Sequence, residues 1–258
     1  MKKKVTSLTP KILAKGNAIT KACAIMTAIS EQSPLRLNEI SEATGLNRVT
    51  ALRILDDLSA AGFVQRHENP PRYDFGPEMV AISTTVSRSM NIVSQVRPSL
   101  LRLADMSEDT VLFSVRSNCE AICVDRATGG FPIRANFLRV GSRRPLGIGG
   151  GSMALLAALP SSERDAVLAI TLGRISEYPS VTAEALTQHI EHYDKHGYVA
   201  MYDLIVDKMA AVGLPVIDNN GHLRGSISIV ALSERIRSRE TELIDSMRTE
   251  VDQIVKTL

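Results

Sequence analysis

Residues 37–55 read LNEISEATGLNRVTALRIL, and they hold two short helical patterns hinged on a glycine. In the first, Asn38 is the expected N-cap and Ile40 and Ala43 point inward. Gly45 ends it and permits a tight turn. Asn47 then caps a second helix that runs to about Ala60 and is closed by Gly62. Upstream, Ile19, Ala22, Cys23, Met26 and Ile29 recur at helical spacing and stop at Ser33-Pro34. Downstream, Phe63 to Arg66 and Arg72 to Phe75 read as two strands around the turn His67-Glu-Asn-Pro-Pro71. Three helices followed by a hairpin make a winged helix-turn-helix, whose last helix presents polar residues to a major groove.

The residue types on that last helix suit the task. Ala51, Leu55 and Leu58 share the face that packs inward, and Asn47, Arg48, Thr50 and Arg53 share the other. Arg bonds a guanine edge in bidentate fashion, Asn an adenine edge, and Thr reaches a phosphate or a thymine methyl. Arg66 and Arg72 on the hairpin stand near the phosphates. The bland alternative is a three-helix packing unit with a solvated polar face. Charge weighs against it. Residues 1–76 hold 11 Lys/Arg against 7 Asp/Glu, a net +4, whereas the remaining residues hold 19 against 21, a net −2. The basic excess sits where phosphates would be neutralised, although Lys2-Lys3-Lys4 supplies three of those charges as a tail.

Beyond Gly76-Pro77, residues 77–91 are expected as a linker helix and 92–258 as a second, α+β domain. Strands are expected at Val111–Arg116, Ala121–Arg126, Ile133–Phe137, Gly197–Tyr202, Ala210–Ile217 and Leu223–Ala231. Helices are expected at Val93–Met106, Ser152–Leu159, Ser161–Leu172, Thr182–Lys195 and Glu234–Thr257. The stretch Gly147-Ile-Gly-Gly-Gly-Ser152 precedes an apolar helix. Glycines let backbone amides approach a ligand, and a helix start favours an anion, so a carboxylate could be held there without a charged side chain. A flexible loop with Ser152 as helix cap is the alternative.

Other signals are weaker. Three cysteines, Cys23, Cys119 and Cys123, make no disulfide framework, and no apolar run approaches membrane-spanning length, so the expected compartment is the cytoplasm. His189, His192 and His196 line one helical face that could bind Zn²⁺ with help from elsewhere; a solvated face is the simpler account. Asp203, Asp207 and Lys208 lack a nucleophile and an orienting partner, and no G-x-S-x-G, H-E-x-x-H or P-loop pattern occurs. No enzyme and no cofactor is expected; the competing reading is a GAF-like enzyme domain fused to a DNA-targeting module.

The run 37–55, Gly62-Phe-Val, and Arg72-Tyr-Asp-Phe-Gly-Pro77 resemble the IclR family of bacterial regulators. So do Val124-Asp-Arg126, Val140-Gly-Ser-Arg-Arg-Pro-Leu146, Ala154-Leu-Leu-Ala-Ala-Leu159, Gly197-Tyr198 and Pro215-Val-Ile-Asp-Asn-Asn-Gly221. The resemblance implies a winged helix, a linker helix and a GAF/profilin-like effector domain. It also implies a dimer or dimer of dimers on palindromic double-stranded DNA. Thr50 and Arg53 match the family's recognition helix, whereas Val49 stands where a small hydroxyl residue is usual. In the effector domain it implies a small-molecule site at Ile133, Asn136, Gly150, Gly151, Met201, Ala211 and Ser228, with the carboxylate on the glycine amides. Sensors of small keto acids tend to carry Asp where this chain has Met201 and Cys where it has Ala211. A larger, partly apolar carboxylate, aromatic acids among the candidates, is therefore the expected effector.

Overall fold

The computed structural model describes residues 11, 14–89, 92–135, 138–174 and 178–258, and the chain divides into two units, 1–90 and 91–258. In the first, helices α1 (Ala18–Gln32), α2 (Leu37–Thr44) and α3 (Arg48–Ala60) precede strands β1 (Val64–His67) and β2 (Arg72–Phe75) and helix α4 (Pro77–Ser89). Ile25, Ile29, Ile40, Ala51, Leu55 and Tyr73 close one core, as the 3.6-residue spacing requires. The α2–α3 turn runs through Gly45 at φ 73, a left-handed conformation that glycine adopts without a Cβ clash. Helix α2 starts one residue before the expected cap: Glu39 reaches back to accept from the Arg36 amide at 2.7 Å, half of a capping box. A second tie holds the hairpin. Leu35 and Tyr73 exchange two backbone bonds of 3.0 and 2.7 Å.

The second unit is an antiparallel six-stranded sheet in the order β5-β4-β3-β8-β7-β6. Its strands are β3 (Thr110–Ser117), β4 (Glu120–Thr128), β5 (Arg143–Pro145), β6 (Val199–Tyr202), β7 (Met209–Ile217) and β8 (Leu223–Leu232). Its helices are α5 (Ile92–Ser107), α6 (Gly150–Ala157), α7 (Ser161–Leu172), α8 (Ala183–His196) and α9 (Ser233–Val255). Strand alternation sorts the faces. Phe113, Val212, Leu214, Ile227 and Ile229 bury against Leu100 and Leu103 of α5 and Leu243 and Met247 of α9. Their neighbours Leu112, Ser114, Ala211 and Ser228 face the opposite way, into a cavity. Behind it, Met153, Leu155 and Leu156 of α6 pack with Val167 and Leu186.

Two further expectations change. Residues 133–135 form no strand; the sheet edge beside β4 belongs to β5, with Arg144 opposite Ala121. Helix α6 starts at Gly150 with Gly149 as its cap, so Ser152 lies inside the helix, its Oγ donating to the Gly149 carbonyl at 3.0 Å.

Candidate functional site

On helix α3, Arg48 and Arg53 are exposed and Thr50 half-buried, whereas Ala51, Ile54 and Leu55 are buried. Asn47 holds the helix start: its Oδ1 accepts from the Thr50 amide at 2.8 Å, which fixes the direction of its amide group. Arg66 is exposed and pairs with Glu68 at 3.2 Å, a surface ion pair of little energy that a phosphate can replace. Arg72 is half-buried on β2. Helix α3 thus carries two exposed arginines in its first two turns, and the hairpin adds two more.

In the second unit, Gly150, Gly151, Met201, Ala211 and Ser228 all line one cavity of about 660 Å³ of atom-free space, part of it open to solvent. Ile133 does not: it is 55% exposed in a bend. Asn136 lies outside the described residues. The glycines turn out to carry packing as well. A Cβ on Gly150 would meet the Ala211 Cβ at 2.7 Å, and one on Gly151 would meet Ser228 Oγ at 2.9 Å. Helix α6 therefore presses its first turn onto β7 and β8, and Ser226 Oγ donates to the Gly151 carbonyl at 2.8 Å. The amides of Gly150, Gly151 and Ser152 have no acceptor within their own helix, because a first turn has no preceding carbonyls to offer.

The sequence reading placed no charged side chain at this end of the cavity, and the structure corrects that. Arg144 lines it, 9% exposed. Its Nη1 lies 3.3 Å from where a Cβ on Gly149 would stand, and Gly149 has φ +100, so a guanidinium abuts the helix start. Burial, first of all, pulls its pKa below the ordinary guanidinium value, with Tyr178 acting in the opposite direction. A cation and the positive end of a helix on one buried wall favour an anion between them. The rest of the lining is largely aliphatic: Leu112, Met201, Leu204, Ile205, Met209 and Val230. An anionic end and an apolar body are what this cavity fits. The pairing register would have revealed Arg144, since β5 sends Arg143 toward Glu120, at 3.6 Å, and its neighbour to the other face.

His192 packs on His196 and edge-on to Tyr198, with ring centroids 4.5 and 4.9 Å apart. Among the described residues no three His, Cys, Asp or Glu could hold a metal ion. Cys123 lines the cavity, and burial pushes its thiol up to about 11. Asp203 accepts from Ser233 Oγ at 2.5 Å and pairs with Arg237 at 3.6 Å, tying the β6–β7 loop to α9. Among the described residues no helix is long and apolar enough to cross a membrane.

Comparison with known proteins accounts for both units. The family model of the bacterial transcriptional regulator IclR C-terminal domain matches residues 84–256, and that of the IclR helix-turn-helix domain matches 18–68. The HTH-type transcriptional regulator KipR of Bacillus subtilis is 25% identical over 222 residues, 86% of this chain and 88% of its own. A solved IclR transcriptional regulator from Alicyclobacillus acidocaldarius superposes with TM-score 0.76 at 19% identity, covering 93% of this chain and 97% of that one. An IclR homolog from Microbacterium hydrocarbonoxydans, complexed with 4-hydroxybenzoate, gives TM-score 0.75 at 18% identity, covering 94% and 100%.

Proposed function

Because the chain belongs to the IclR family of transcriptional regulators, we propose that it is a gene switch whose second domain senses an amphiphilic, aromatic carboxylate. The observation that carries the effector class is Arg144 beside the α6 start, on the wall of a cavity whose other side chains are largely apolar with a few hydroxyls. The carboxylate bonds the guanidinium and the free first-turn amides; the ring lies among Leu112, Met201 and Val230. The 4-hydroxybenzoate held by the Microbacterium homolog has that chemistry and supports the reading. Met201 and Ala211, paired across β6 and β7, leave room and apolar surface where a small polar acid would want an acceptor.

DNA is read by α3 through Arg48, Thr50 and Arg53, with Asn47 holding the helix and Arg66 and Arg72 on phosphates. The protein works as a dimer or dimer of dimers on a palindromic duplex. Control is linkage: the acid binds one arrangement of the assembly better, and DNA affinity changes by no more than that difference. The test is a fluorescence-anisotropy titration of a duplex enriched by the protein from a randomised pool, with and without 4-hydroxybenzoate and related benzoates. A change in DNA affinity of roughly 5- to 150-fold with at least one benzoate is expected. No change with any of them, alongside binding of two- or three-carbon acids, overturns the effector assignment.

A further inference from the structure

We propose that Val49 reads a thymine, packing its side chain on the 5-methyl group in the major groove; this rests on α3 being the DNA-reading helix. Val49 is the second residue of α3, after the Asn47 cap and Arg48, and it is 80% exposed. One turn on, Leu52 is 36% exposed, so two aliphatic side chains at i and i+3 form a strip. The domain core has no use for them: it is served by Ala51, Ile54 and Leu55 on the other side of the helix. Single exposed aliphatics are ordinary, but this strip lies between Arg48 and Arg53, both exposed, whose charges draw that helical turn toward phosphates and guanine edges.

Within the groove, the thymine methyl is the one apolar group that base edges present. The residue best suited by type to read adenine, Asn47, is turned back on the helix start by its Oδ1 bond to the Thr50 amide, whereas bidentate adenine contact needs both amide atoms aimed at the base. Recognition of an A·T pair then passes to its other strand, through Val49. A β-branched side chain in a helix is held near one χ1 rotamer, so it meets the methyl with little rotamer freedom to lose.

The experiment is a thymine-to-deoxyuridine scan of a duplex enriched from a randomised pool, read by anisotropy with the parent, Val49→Ala and Val49→Thr. Deoxyuridine keeps every hydrogen-bonding edge and removes the methyl alone. The parent should lose about fourfold at one thymine of the recognised motif, the worth of one buried methyl-sized contact. Val49→Ala should be indifferent there, and Val49→Thr, which keeps one γ-methyl, should retain part of the loss. As the side chain is exposed, neither variant disturbs the core. If the parent binds the duplex in a salt-sensitive way but no thymine separates it from Val49→Ala, the Val49 assignment falls and DNA reading by α3 stands. If the parent enriches no duplex, DNA reading falls and takes this assignment with it.

Discussion

Replacing Arg144 by Met removes the charge from the cavity and keeps most of the side chain's bulk. Arg144 is nine-tenths buried against the α6 start, so its bond to a carboxylate is little weakened by solvent. A hydrogen bond to a charged group is worth about 1.5–3 kcal/mol, and every 1.4 kcal/mol is a factor of ten. Arg144→Met should therefore weaken 4-hydroxybenzoate binding by roughly 10- to 150-fold, measured by isothermal titration calorimetry. The amide analogue, 4-hydroxybenzamide, fills the same space without charge. The parent should prefer acid to amide by a similar factor, and in Arg144→Met that preference should collapse. Arg144→Lys should recover only part of it, because an ammonium lacks the planar fork. Unchanged melting temperature and DNA affinity without ligand would show that the variant is folded. Equal affinity of parent and Arg144→Met for the acid, or an acid preference that survives in the variant, would refute the reasoning.

Asp109 accepts from Arg235 at 3.1 Å and Arg239 at 2.9 Å with its side chain 1% exposed. Asp109→Ala leaves two cations partly buried and should cost about 3–5 kcal/mol, a fall of roughly 6–20 °C in melting temperature by calorimetry. At Gly213 an added Cβ would stand 2.4 Å from the Gly150 carbonyl oxygen. Gly213→Ala should force α6 off β7, destabilise by about 1–3 kcal/mol and weaken acid binding, whereas DNA affinity without ligand should be kept. Burial first, then the neighbouring His192, holds His189 below the ordinary 6.5. The unfolded chain then takes up that proton first, so the contribution is present above pH 6.5 and is lost as pH falls through the folded value. Melting temperature should drop between about pH 7.5 and 5.5 less in His189→Gln than in the parent, and an equal drop would remove His189 from the account.

Much of this was legible where the pattern is local. The run 37–55 announces two helices and a glycine turn because caps, helical period and a left-handed residue all act within a few positions. Which of its residues stay outward follows from the same period. The cavity of the second unit is different. Gly150 and Gly151 stood out as a motif, yet their tight fit against Ala211 and Ser228 depends on β7 and β8, some sixty or more residues away in the chain, and no local rule contains it. Arg144 was hidden for the same reason. Next to a second arginine in a Gly- and Arg-rich stretch it reads as loop, and only the pairing of β5 with β4 decides that Arg143 meets Glu120 while Arg144 enters the cavity. The three histidines share a partly solvated face as their spacing implies, but the local period does not contain the packing of His192 and His196 against Tyr198 beyond the helix end.

The claim on which the rest depends is that α3 lies in a duplex groove with its arginines on the DNA. It is tested by measuring, at two salt concentrations, how much more tightly the protein binds its enriched duplex than a random one, in the parent and in Arg48→Ala/Arg53→Ala. Each bidentate contact is worth about 1–3 kcal/mol of discrimination. The double variant, both of whose changes are on exposed positions, should lose more than a tenfold share of that preference while keeping the parent's melting temperature. A folded double variant with undiminished preference at both salts would contradict the account.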